Sequence, residues 1–327
     1  PLLDAVTRLL TGGKGLRAGF LYWAFRAVGG PDSDALVRLA ASMEFFQAGA
    51  LLHDDVMDRS DTRRGMPSAH RAIAALHEGR GWVGDGNRFG EGAAILAGDL
   101  CLTWSDQLFE TCGLPAADLD RGRGMFDRMR TQLMGGQFLD LLESARGWAE
   151  LDLDARLASS RKVIRFKSAK YTVEQPLLIG ALVGGAPAAT RALLSQYGLA
   201  LGEAFQLRDD LLGVFGDPET TGKPAGDDLR EGKRTALVAF ALDGAPATER
   251  DLLERMLGRE DLADADVTTL RGILHRSGAV ERVETLITER AADARAALDR
   301  AAREGCLDET ATEVLRDLVA SSTARRA

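Results

Sequence analysis

Cysteine is scarce. Cys101, Cys112 and Cys306 are the only three in 327 residues, scattered and without a CxxC pair, so no disulfide framework is expected and a reducing cytoplasm fits. Excess positive charge is missing too. The 49 acidic and 41 basic residues leave a formal net charge of −8 and a pI of about 5.2, which removes any general attraction to nucleic acid or anionic lipid. An anionic ligand therefore needs local cations. Aromatic residues make up 6% while charged residues reach 28%, a balance that suits a helical protein better than a sandwich or barrel. The most apolar stretch, 176–189, is broken by glycines and falls short of the ~18 residues a membrane span requires, so no spanning helix is expected. The opening PLLDAVTRLL lacks the basic, apolar and small-residue succession of a signal peptide, and it also lacks a starting Met.

What is present is helical periodicity. Leu36, Val37, Leu39, Ala40, Met43, Phe46, Ala50 and Leu51 recur at spacings of three and four, as one face of a helix does. The same pattern runs through 93–111, 123–145, 155–184, 190–215, 234–243 and 281–301, and alternating β-branched runs are almost absent. The expected class is all-α. Gly, Pro and polar clusters at 29–33, 59–68, 78–92, 113–118, 184–188 and 216–232 read as loops between helices. None resembles a linker, so one domain over 1–327 with roughly ten helices is expected. The run from Gly79 to Gly84 matches GxGxxG, but a helical segment precedes it where a dinucleotide site needs a strand, and it reads as a flexible loop.

Carboxylates gather at two helix ends. In Leu51-Leu52-His53-Asp54-Asp55-Val56-Met57-Asp58, Asp54 and Asp58 share one face at i and i+4. Like charges so placed cost a helix ~0.2–0.5 kcal/mol, and a cation would offset that cost. Oxygen donors of this kind suit Mg²⁺, which shares its shell with substrate phosphates. The apolar run before the acids gives them the look of a rim above an apolar pocket, and Arg63 and Arg64 follow with forks matched to phosphate oxygens. A second pair, Asp209-Asp210, ends another apolar helix. Downstream, Lys223 and Lys233 stand in glycine-rich loops that match no GxxxxGK[ST] pattern. Alone, each feature has a plain alternative: an exposed acidic helix end, a solvated helix start at Lys14 and Arg17, a satisfied buried amide at Gln206.

Taken in order, GGKGLR at 12–17, LLHDDVMDRSDTRRG at 51–65, AGD at 97–99, FKSAKYT at 166–172, FQLRDD at 205–210 and GKPAGDDLREGKRT at 222–235 resemble the trans-prenyl diphosphate synthases, the farnesyl and geranylgeranyl diphosphate synthase family. The resemblance covers most of the chain. It implies a helical bundle of the isoprenoid synthase type with a central apolar cavity, and the condensation of isopentenyl diphosphate with an allylic diphosphate. It further implies that Asp54, Asp58 and Asp209 bind magnesium, three ions per site, with Asp55 and Asp210 completing the acidic patches. Lys14, Arg17 and Arg64 would hold isopentenyl diphosphate; Arg63, Lys167, Lys223 and Lys233 would contact the allylic diphosphate. Ser168 and Gln206 would line the reacting carbons. A homodimer is implied as well.

Several positions depart from the family pattern. Gln47 stands where many members carry a histidine, so an uncharged amide meets isopentenyl diphosphate. Gly213 replaces the last acid of the second motif and leaves Asp217 as a further candidate. Gly15 and Ala18 replace a basic residue and a proline, and Ser168 a threonine. Product length in the family is set below the first acid, here at Gly49 and Ala50, then Phe46, then Met43; the Phe46 ring points to a C20 product. Two rivals remain. A class I terpene cyclase would turn over one diphosphate without isopentenyl diphosphate, and a noncatalytic partner subunit would show no turnover alone.

Overall fold

The computed structural model describes residues 1–148, 150–217, 226–259 and 261–323. Apart from one two-stranded hairpin, the described residues form helices joined by short loops. The first part of the chain gives α1 (Leu2–Thr11), α2 (Leu16–Ala27), α3 (Asp34–Met57), α4 (Ala69–Gly79), α5 (Gly86–Thr111) and α6 (Ala116–Ala145). Next come α7 (Leu153–Val163), a π-helical segment (Ile164–Glu174), α8 (Gln175–Val183) and α9 (Ala188–Phe215). After a single helical turn at Asp227–Arg230, the chain finishes with α10 (Ala236–Gly244), α11 (Ala247–Met256), α12 (Asp264–Arg276), α13 (Ala279–Arg303) and α14 (Glu309–Thr323).

Helix α3 starts because Ser33, in extended conformation, accepts a hydrogen bond from the amide of Leu36, which satisfies one of the first free N–H groups. Its apolar faces pack on α2 and α5, burying Leu36, Leu39, Met43, Phe46 and Leu52. By length and composition α3 is apolar enough to cross a membrane, although Arg38 and Glu44 interrupt its apolar run. Here it is a core helix whose far end carries the first acids. Arg59, with φ 53°, breaks it. The hairpin Thr62–Arg63 and Met66–Pro67 follows through a two-residue turn at Arg64 and Gly65, both with positive φ, as the primed hairpin turns require.

Two loops expected from composition are shaped otherwise. Helix α5 begins at Gly86, inside the stretch 78–92, capped by Asp85 accepting from Asn87 and Arg88. Gly86, Gly90 and Gly98 are sites of close approach: a Cβ on Gly90 would lie 2.2 Å from the carbonyl oxygen of His70 in α4. Gly79, Gly81 and Gly84 end α4 and turn the chain, with no strand before them. The stretch 59–68 contains the hairpin.

The rod from Leu153 to Val183 is continuous through α7, the π segment and α8. Its middle is wedged between α6 and α9. A Cβ on Gly136 would lie 2.4 Å from the backbone nitrogen of Lys167, and one on Gly202 2.6 Å from the Cα of Ala169. Bare backbone on both neighbours lets the wider π turn fit, and such turns occur often at functional sites. The turn sets Lys167, Ser168, Tyr171 and Thr172 along one cavity wall.

Candidate active site

A cavity of about 490 Å³ opens between α3, α6, the π segment and α9. Asp54 at the end of α3 and Asp209 and Asp210 near the end of α9 all line it, so the two acidic patches share one opening. Below them the wall is apolar, with Ala50, Leu51, Leu133, Ile164, Phe205 and Leu212.

Asp54 is held from three sides. Gln137 on α6 donates to its Oδ1 at 2.9 Å, Lys167 Nζ lies 3.5 Å from the same oxygen, and Arg63 Nη2 is 3.6 Å from Oδ2. Lys167 also donates to Asp140 at 2.5 Å. Burial opposes the charge on Lys167, yet Asp54 and Asp140 outweigh it and raise the pKa, so the ammonium stays protonated. Asp58 does not line the cavity but lies close behind Asp54, and its Oδ2 is buried without a hydrogen-bond partner. Burial and the Asp54 charge push its carboxyl up to about 7.

Asp55, expected among the metal carboxylates, is turned into the protein and only 1% exposed. It accepts from Nε of Arg63 at 2.8 Å and from Nη2, so its position fixes the hairpin arginine rather than facing the cavity. Arg64, which lines the cavity, donates to the carbonyls of Leu9 and Gly12. That bond ties the hairpin to the loop bearing Lys14, which is itself exposed and outside the cavity wall.

On the opposite side Gln206 donates to Asp210 at 2.7 Å. Asp210 is pushed up to about 8, chiefly by burial and then by Asp228 and Asp209 against the Gln206 hydrogen bond. Lys233 reaches across, 3.2 Å from Asp228 and 2.6 Å from Glu231. Desolvation weighs against its charge, but these carboxylates together with Asp58 and Asp54 raise its pKa well above the ordinary value. Arg208, between Gln206 and Asp209 in sequence, points away and clasps Glu284 of α13.

Arg17, Gln47, Ala50, Arg63, Arg64, Ser168 and Gln206 therefore meet Asp54, Lys167, Asp209, Asp210 and Lys233 around one cavity. Lys223 lies outside the described residues. The expected chain-length positions divide. Ala50 lines the cavity, but a side chain at Gly49 would meet Gly98 O at 2.9 Å and Leu102 at 3.0 Å on α5, so Gly49 faces a helix crossing instead. Phe46 and Met43 are buried in the core beneath. The AGD element and the helical turn before it seat His53: its Nε2 lies 3.3 Å from Asp99 and 3.0 Å from Ile95 O.

Residues missing from the sequence reading are Gln137, Asp140, Tyr171, Thr172, Asp228 and Arg234, all on the cavity wall. Gln137 and Asp140 left a trace, a polar i, i+3 pair on α6 beside Leu133 and Met134. Asp228 stood in the GKPAGDDLREGKRT element at 222–235, but its role did not show, because its place depends on the fold around Gly213.

The family model for polyprenyl synthetases matches residues 1–274. The chain belongs to the polyprenyl synthetase family. It is 32% identical to geranylfarnesyl diphosphate synthase of Aeropyrum pernix, over 86% of this chain and 82% of that protein. Among solved structures, geranylgeranyl pyrophosphate synthase from Corynebacterium glutamicum, complexed with isoprenyl diphosphate and magnesium, superposes with a TM-score of 0.92 and 38% identity, covering 99% of this chain and 90% of that one. Polyprenyl synthase from Caulobacter crescentus, complexed with calcium and isoprenyl diphosphate, gives a TM-score of 0.81 at 31% identity, covering 99% and 89%. As a polyprenyl synthetase, the chain is a prenyltransferase that condenses isopentenyl diphosphate with an allylic diphosphate, on the all-α isoprenoid synthase fold. The family is metal-dependent.

Proposed function

We propose that this synthase makes a C20 prenyl diphosphate, with three magnesium ions held by Asp54 and Asp58 on one side and by Asp209 and Asp210 on the other. The observation that carries this reading is the meeting of both acidic patches at one apolar cavity. Among the described residues no three metal-binding side chains are grouped tightly enough to hold an ion by themselves, which fits ions shared with substrate phosphates. The buried, unpartnered Oδ2 of Asp58 is an oxygen that such an ion would satisfy. Bound there, magnesium would neutralise charge on the diphosphate as it departs.

The chain's own groups do the rest. Lys167, Lys233 and Arg63 hold the allylic diphosphate as charge-assisted donors already fixed in place by carboxylates, and Lys223 is assigned to the same group. Arg17, Arg64, Lys14 and Gln47 hold isopentenyl diphosphate. The apolar wall keeps water from the allylic carbocation, and the double bond of isopentenyl diphosphate attacks that cation. The released diphosphate takes the proton, so no basic histidine is needed. Asp55 orients Arg63, and Asp210 is braced by Gln206.

Ala50 leaves the cavity open at its first turn and Phe46 lies buried below, which supports a stop at C20. Exposed Phe89, Ile95 and Leu96 on α5 and Phe138 and Leu141 on α6 support a homodimer, and the cytoplasm is the proposed compartment. Each primer incubated with isopentenyl diphosphate and Mg²⁺, with products read by mass spectrometry, tests the proposal. C20 is expected from all primers. A C15 or C25 end product rejects the length, and turnover without isopentenyl diphosphate rejects the reaction.

A further inference from the structure

We infer that Tyr171 is a positioning residue for the isopentenyl diphosphate half of the site, where its hydroxyl aims Gln47 and its ring carries Arg17. The inference rests on the assignment of Arg17 and Gln47 to that substrate. Tyr171 is 4% exposed on the π segment, and three partners surround it. Its hydroxyl donates to Gln47 Oε1. The central carbon of the Arg17 guanidinium stands 4.3 Å from its ring centroid, a cation–π distance. The ring meets Phe46 edge-on, 5.6 Å away at 73°.

A glutamine amide has one accepting and one donating end, and nothing in the side chain itself decides which way they turn. With Oε1 committed to Tyr171, the donating Nε2 is left without a partner among the described residues, while Gln47 forms part of the cavity wall. Arg17 spends Nη2 on Thr172 Oγ1 at 2.8 Å, and its buried Nε has no partner. Two donors without protein acceptors thus flank one aromatic side chain beside the cavity. Buried donors left in this way favour an anion. Burial pushes the Tyr171 phenol up from its ordinary value against the pull of Arg17, so its hydroxyl remains a donor. A histidine at 47 would bring its own charge, whereas an amide must be aimed.

Tyr171→Phe removes the hydroxyl and keeps both ring contacts. Steady-state kinetics with isopentenyl and farnesyl diphosphates should show the KM for isopentenyl diphosphate raised about ten-fold, the value of one hydrogen bond, with kcat, the allylic KM and the melting temperature unchanged. In a Gln47→Leu background the same change should add almost nothing, since contacting residues are non-additive. A rise in Gln47→Leu with no effect of Tyr171→Phe overturns the inference alone. Equal rises in both KM values, or effects that multiply, also overturn it. An unaltered isopentenyl diphosphate KM in Gln47→Leu overturns the underlying assignment.

Discussion

The carboxylate of Asp228 fills the space over the Cα of Gly213: a Cβ there would lie 2.0 Å from Asp228 Oδ2 and 2.5 Å from its Cγ. Where the family pattern places the last acid of the second helix end, another carboxylate, from the turn Asp227–Arg230, stands against that point. Asp228 also bonds Lys233 at 3.2 Å, so crowding at 213 is felt by a cation of the site. Gly213→Asp should therefore lower kcat/KM by about ten-fold, the scale of overpacking by 1–3 kcal/mol, and the double change Gly213→Asp with Asp228→Gly should recover part of it. Kinetics of the three variants decides; a single variant more active than the parent would refute the crowding.

Asp54 binds Gln137, Lys167 and Arg63 at once. Its replacement by Ala should cost at least about 10²-fold in turnover, the usual loss when a group stabilising transition-state charge is removed, with little change in thermal stability because the site is over-supplied with acids. Condensation rate and circular dichroism measure the two. Full activity in Asp54→Ala would remove the first acidic patch from the chemistry.

Product length should follow Ala50 and not Gly49. Ala50→Phe places a ring in the cavity and should shorten the product to C15, whereas Gly49→Ala crowds Gly98 and Leu102 and should cost about 1–3 kcal/mol of stability without itself adding a floor. Mass spectrometry and thermal melts separate these outcomes.

Acid chemistry gives a pH signature. Asp58 is raised from 3.8 to about 7 and Asp210 from 3.8 to about 8. A carboxyl whose folded pKa lies above its unfolded value stabilises the fold fully below the unfolded pKa, and that contribution is lost as pH rises through the folded one. Without metal, this contribution should therefore shrink between about pH 4 and about pH 8. Asp210→Asn should flatten the loss. Melting curves with chelator present at several pH values check it, and a parallel slope in the variant would contradict it.

Much of this was legible in the sequence. The period of α3 and α9 and the acids at their ends gave the helices and the patches, because periodicity and like-charge spacing are local properties. The start of α5 went unread, since Gly86 and Gly90, residues that normally break helices, serve there as close approaches to α4; α1 and α2 are short, and their apolar residues were not singled out. Asp228 and Tyr171 stood within the motifs without a role, and Gln137 in none, for another reason. Each works through a partner distant in sequence, as Gln137 does on Asp54 and Tyr171 on Gln47, and one chain read alone shows no such pairing.

The unbroken rod pinned between Gly136 and Gly202 carries Lys167 for one proposed substrate and Tyr171 with Thr172 for the other. Both diphosphates are then registered against a single rigid body, and neither can drift without its partner. Variation in how long the prenyl chain grows then falls to α3, α6 and α9, the walls that can change while the spacing of the reacting ends is preserved.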